Sequence, residues 1–130
     1  MRNLLALVHG HAALTQAEGE DASGAAREAP PPLPTPPTIK WEKNFDEALK
    51  KARGAGKPVI VDFWADWCAW CHRLDKNTYA DPWVARKAQE FVAVKVNTEG
   101  SRKELDVAVR YHVTSLPTIV FLSPEGRQLR

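Results

Sequence analysis

Both cysteines of this 130-residue chain lie in one six-residue stretch, Trp67-Cys68-Ala69-Trp70-Cys71-His72. Three chemistries share that spelling: a redox dithiol, part of a zinc site, and the Cys-x-x-Cys-His signature of covalently attached haem. Haem would take His72 as one axial ligand and usually a Met or His as the second. The only methionine is Met1, and His112 falls in a stretch that reads as a capped helix. A structural zinc needs four ligands. Cys68, Cys71 and His72 offer three, no second Cys-x-x-Cys or spaced His pair follows, and His9 and His11 fall in an apparent tail. Two packed, inert thiols are the bland alternative, since free cysteine is commonly buried. A Cys-x-x-Cys pair that follows an apolar strand and opens a helix is the setting of a redox dithiol, and the surroundings favour that reading. Cys68 would sit where unpaired helix N–H groups and the helix dipole favour a thiolate. A lowered thiol pKa makes a nucleophile at neutral pH. Cys71, one turn on, is placed to attack the mixed disulfide and release product.

The elements that must position this pair can be read from periodicity. Val59-Ile60-Val61-Asp62-Phe63-Trp64 is a nearly continuous, β-branched apolar run, suited to a strand covered on both faces. A helix is expected from the cysteine motif through Arg73, Leu74 and Lys76. Before the strand, Asn44 with Glu47 looks like a cap with a reciprocal acidic partner. Phe45, Ala48, Leu49 and Ala52 then share one helical face, ended by Gly54, Gly56 and Pro58. Downstream, Asp81-Pro82 reads as N-cap and first residue of a helix carrying Val84, Ala88 and Phe91. Val92–Val96 is a second strand. Ser101-Arg102-Lys103-Glu104 is a capping box before a helix with Leu105, Ala108, Val109 and His112 on one face. Thr118–Leu122 is a third strand, and Ser123-Pro124-Glu125-Gly126 a turn after which Arg127 onward returns antiparallel. Strands alternating with helices imply an α/β fold with a parallel βαβ unit and an antiparallel edge. A sheet face of this kind normally takes one further helix, so the ordered domain, residues 39–130, reads as C-terminally incomplete.

Composition excludes several classes. The apolar fraction is 44%, the charged fraction 26% and the net charge +2, with no basic block, so nothing marks a nucleic-acid binder. No apolar run approaches the roughly 20 residues of a membrane helix. Residues 1–38 read as a tail. Met1-Arg2-Asn3 and the apolar residues after it fit either an export signal interrupted at His9-Gly10-His11 or a plain tail. Ala29–Thr38, APPPLPTPPT, reads as a semi-rigid polyproline spacer, favoured over a PxxP ligand.

VIVDFWADWCAWC resembles the active-site strand and loop of the thioredoxin superfamily. From about Trp41 onward the chain is similar to thioredoxin-like domains of the thiol:disulfide interchange type, including the Asp81-Pro82-Trp83-Val84 helix start. The resemblance implies a three-layer thioredoxin-like fold with a central mixed sheet. It implies a protein-disulfide reductase or interchange activity in which Cys68 attacks and Cys71 resolves. It implies that Asp62 exchanges protons with the resolving cysteine. A carboxyl on a covered strand should have a raised pKa, which suits that role. Lys95 matches a lysine near that acid, though an ordinary strand lysine would look the same. Leu116-Pro117-Thr118 matches the loop whose proline is cis and lies against the disulfide. Leu116 would pair with an extended substrate, and Trp67 would shield the site. The inner pair Ala69-Trp70 departs from thioredoxin itself and leaves the redox direction open; Trp70 offers apolar contact area. His72 replaces a residue that is often lysine and is either a pH-sensitive charge or a solvated helix residue, the latter favoured. No bound cofactor or metal is expected beyond the redox-active disulfide. The expected partners are protein disulfides and an upstream dithiol donor, with a monomer in the periplasm or another extracytoplasmic space.

Overall fold

The apolar run at Val59–Trp64 becomes the inner strand of a four-stranded sheet in the computed structural model, which describes residues 28–130. The candidate export signal, with His9 and His11, lies outside the described residues. Residues 28–35 are exposed and carry no regular element. The unit from Pro36 to Arg130 holds the sheet. Its strands are β1 (Trp41–Glu42), β2 (Val59–Trp64), β3 (Val92–Asn97) and β4 (Thr118–Leu122), in the order β1-β3-β2-β4. β3 runs parallel to β1 and β2, and β4 runs antiparallel to β2. The register explains the reversal. β3 ends with Asn97 opposite Trp64, and β4 begins with Thr118 opposite Phe63. The connection leaves and re-enters at the same end of the sheet, so β4 has to run the other way.

The helices are α1 (Phe45–Ala55), α2 (Ala69–Arg73), α3 (Pro82–Ala88) and α4 (Arg102–Arg110). Side chains alternate across a strand. On one face of the sheet Val59, Val61, Phe63, Val94 and Val96 pack with Phe45, Ala48 and Ala52 of α1 and Val107 and Ala108 of α4. Asp62 and Lys95 occupy the opposite face, the side reached by α2 and the turn after it. The expected α1 cap is half realised: the Asn44 side chain accepts from the Glu47 N–H, and Gly56 ends the helix at φ 65. Asp81 caps α3 as expected, its carboxylate accepting from Trp83 and Val84. The Ser123–Gly126 turn forms, with Gly126 at φ 95, and Leu129 N–H returns to the Phe121 carbonyl at 2.8 Å.

Three expectations need correction. α3 stops at Ala88, so Phe91, expected near its end, lies beyond it. The helix after the cysteine motif is not continuous: α2 ends at Arg73 and Leu74–Thr78 forms a π-helical turn, with Tyr79 N–H bonded to the Leu74 carbonyl at 2.8 Å. α4 is rolled relative to its expected face. Its buried residues are Val107 and Ala108, while Leu105 and Val109 are exposed and His112 lies beyond the helix at φ 58. The cause is Glu104. It completes the capping box with Ser101, and its second oxygen accepts from Asn97 N–H at the end of β3, at 2.9 Å. That tie turns Glu104 inward and its neighbour Leu105 outward. The helix then closes with a Schellman pattern, Val113 N–H to Ala108 and His112 N–H to Val109, which needs His112 in the left-handed region.

This roll sets a test of packing. Phe63→Ala is expected to cost roughly 3–5 kcal/mol because it empties a fully buried site. Val109→Ser on the exposed flank of α4 should stay within about 0.5 kcal/mol of the parent. Urea midpoints for the two variants check both; comparable losses would contradict the observed roll.

Candidate active site

The chain enters the site from β2 through Ala65-Asp66-Trp67, with Cys68 N–H bonded to the Ala65 carbonyl at 3.0 Å. Cys68 is the N-cap of α2, and its Sγ accepts from Cys71 N–H at 3.1 Å. Cys68 and Cys71 form a disulfide, with Cα atoms 5.2 Å apart. Both are buried, Cys71 at 1% exposure and Cys68 at 3%. Cys68 is thus the more accessible sulfur of the pair, by a small margin.

Asp62 is fully buried on β2 and lies opposite Lys95 of β3 in the strand register. Its Oδ2 accepts from Lys95 Nζ at 2.9 Å. Lys95 also donates to Asp75 of the π-helical turn at 2.7 Å. The ammonium sits over the rings of Trp41, Tyr79 and Trp64, at 4.9, 5.5 and 5.7 Å from their centroids. Burial raises the Asp62 pKa above its ordinary 3.8; Lys95 opposes by hydrogen bond and charge without cancelling it, and Asp75 adds to the rise. A carboxyl so shifted holds its proton to higher pH than an exposed aspartate does. No hydrogen bond joins Asp62 to either cysteine.

The remaining expected residues divide. Trp67 is pinned by its Nε1–H to Glu99 at 2.7 Å and shares an apolar depression with Leu116, Leu105 and Val109. Trp70 shares a second depression with Pro117, Arg73 and Leu74, and the Arg73 guanidinium stacks 4.7 Å over its ring. Both indoles are more than 60% exposed (65% and 63%), far above the core. The Leu116–Pro117 peptide is cis, as the resemblance implied. His72 does not meet the sulfurs in a hydrogen bond; its Nε2 pairs with the Asp66 carbonyl at 2.7 Å and its ring lies edge-on to Trp64. Among the described residues, no group of three or more His, Cys, Asp or Glu side chains converges as metal ligands would.

Sequence reasoning passed over Trp41, Asp75 and Tyr79. A signal was present. Cys71, Asp75 and Tyr79 recur at every fourth residue, which aligns them on one helical face. The spacing puts acid and phenol on the side of the resolving position, although α2 gives way to the π-helical turn between them.

Comparison with known proteins agrees with this geometry. A family model described as thioredoxin-like matches residues 40–124. The thiol:disulfide interchange protein DsbD of Salmonella typhimurium is 38% identical over 92 residues, which cover 69% of this chain and 16% of that protein. The chain therefore spans about a sixth of the length of the curated relatives it matches. Among solved structures, the DsbH oxidoreductase superposes with a TM-score of 0.66 at 24% identity, covering 89% of this chain and 83% of that one. A thioredoxin from Thermus thermophilus gives 0.63 at 29% identity, covering 72% and 73%.

The raised Asp62 pKa has a stability consequence with a definite sign. The folded chain keeps a proton on Asp62 at pH values where the unfolded chain has released it. The site's contribution is therefore most favourable below the unfolded value of 3.8 and declines as pH rises through the folded pKa. Asp62→Asn removes the buried charge, keeps an acceptor for Lys95, and leaves Lys95 bonded to Asp75. The variant should melt above the parent at neutral pH and lose that advantage at about pH 3. Thermal melts at the two pH values check this; an equal advantage at both would contradict a raised pKa.

Proposed function

Because this chain belongs to the thioredoxin-like family, we propose that it is a thiol–disulfide oxidoreductase that reduces or interchanges protein disulfides through Cys68 and Cys71. The observation that carries the reading is the Cys68–Cys71 disulfide at the start of α2, on the same side of the sheet as buried Asp62, whose pKa is raised by burial. The similarity to proteins named for thiol:disulfide interchange supports it. In the working direction the reduced Cys68 thiolate, favoured by the Cys71 N–H aimed at its sulfur, attacks one sulfur of a substrate disulfide. The substrate S–S bond breaks, and its second sulfur leaves with the electron pair and takes a proton from solvent. Asp62 accepts the proton of Cys71, whose thiolate then attacks Cys68 Sγ. The mixed disulfide breaks, the substrate's remaining sulfur leaves with the electron pair and takes a proton from solvent, Asp62 returns its own proton to solvent, and Cys68–Cys71 is oxidised. Two electrons have moved from this chain to the substrate, and an upstream dithiol protein must return them.

The two apolar depressions give the substrate its place. Trp67, Leu116, Trp70 and Pro117 line them, and the exposed indoles offer contact area without a deep cavity. Such a surface suits an extended polypeptide more than a small molecule. The redox-active disulfide serves as the only cofactor of this reading. We place the activity in the periplasm or another extracytoplasmic space, where interchange-type domains find disulfide partners, with the chain acting as a monomer; residues 1–38 then serve as signal and spacer ahead of the domain.

Reduced Cys71→Ser should accumulate a mixed disulfide with a disulfide-bonded substrate such as insulin, visible on non-reducing gels, while Cys68→Ser should form none and lose turnover. Full turnover in Cys71→Ser with nothing trapped would reverse the assigned roles. An inert dithiol in the parent chain would instead support a binding module of the same fold.

A further inference from the structure

Two buried side-chain oxygens near the site have no hydrogen-bond partner, Oδ1 of Asp62 and Oη of Tyr79. Buried polar groups are almost always bonded, so such a pair in one cluster calls for an explanation. The two belong together. Lys95 Nζ bonds Asp62 Oδ2 at 2.9 Å and lies 5.5 Å from the centre of the Tyr79 ring. The π-helical turn delivers Tyr79 to this place, and the ring is fixed edge-on against Trp41 at 4.9 Å. Asp62 has a free acceptor, and Tyr79 has a free donor. Burial, and then the Asp62 charge facing it, push the Tyr79 hydroxyl well above its ordinary 10.0, so it keeps its proton and remains a donor. The other charged groups bearing on Asp62 are Lys95 from β3 and Asp75 from the π-helical turn; the disulfide on α2 does not titrate in the oxidised chain.

We propose that Tyr79 is a positioning residue of the dithiol site, donating its hydroxyl proton to Oδ1 of Asp62 while Lys95 holds Oδ2, so that the carboxylate stays ready to accept a proton. The proposal rests on the reading that Asp62 serves Cys71. The step served is a proton transfer alone: the S–H bond of Cys71 breaks, an O–H bond forms on Asp62, and Tyr79 retains its own proton. Burial works against an ionised Asp62, and two donors oppose it, one on each oxygen. Removing the phenol donor leaves only Lys95, and the carboxyl then holds its proton to higher pH.

The test is the titration of Asp62 in the oxidised chain, followed by the NMR shift of its carboxyl carbon in the parent and in Tyr79→Phe. The variant deletes one buried oxygen and keeps the ring against Trp41. The midpoint is expected to rise by about one pH unit, a tenfold gain in proton affinity. In the parent, the Tyr79 hydroxyl proton should appear as an exchange-protected signal that moves with the same midpoint. An unchanged or lowered midpoint in Tyr79→Phe overturns the proposal, as does a Tyr79 hydroxyl signal that ignores the Asp62 titration. Neither readout needs turnover, so a chain that titrates as expected but reduces nothing would sink the proposed function while leaving the Tyr79–Asp62 hydrogen bond standing.

Discussion

Asp62 and Lys95 are register partners on adjacent parallel strands, and that pairing fixes an ammonium 2.9 Å from a fully buried carboxylate. Taking an ion out of water costs on the order of several kcal/mol, and one buried partner seldom repays it in full. The direction of the Asp62 shift says which effect wins here: desolvation outweighs Lys95. The same ammonium reaches out to Asp75, whose side chain is 43% exposed, and is walled by three aromatic rings. Lys95 thus links a buried acid to a wet one and ties β3 to the turn that follows the cysteine helix. Loss of that ammonium would leave the acid uncompensated and detach the turn.

The electrostatics around the sulfurs follow from this arrangement. A strongly oxidising dithiol needs its thiolate stabilised by nearby positive charge. Here the Lys95 ammonium is already shared by two carboxylates, Arg73 is stacked on Trp70, and His72 is tied to a backbone carbonyl. What remains for Cys68 is a single N–H and a short helix. A thiolate so modestly supported is what the proposed reducing direction requires.

Much of this was legible in the sequence because the signals are local. The β-branched run gave β2 to the residue, Asp81-Pro82 gave the start of α3, and Ser101 with Glu104 gave the capping box of α4. The cysteine spacing and the strand before it gave the site. The rest depends on contacts distant in sequence. The roll of α4 is set by Glu104 reaching the Asn97 backbone, which no periodicity records. β1 is two residues long, too short for any pattern, and exists because it pairs with β3. Asp75 and Tyr79 gain their meaning only once Lys95 arrives from β3.

The reduction potential of the Cys68–Cys71 pair, measured by equilibration against glutathione or dithiothreitol buffers, tests the central claim most directly. About 30 mV corresponds to 1.4 kcal/mol for this two-electron couple, so modest differences resolve. With Lys95, Arg73 and His72 engaged elsewhere, the value should fall toward the reducing end of such proteins, about −270 mV. A value near the oxidising end, about −120 mV, would mean a chain that inserts disulfides and would contradict the account.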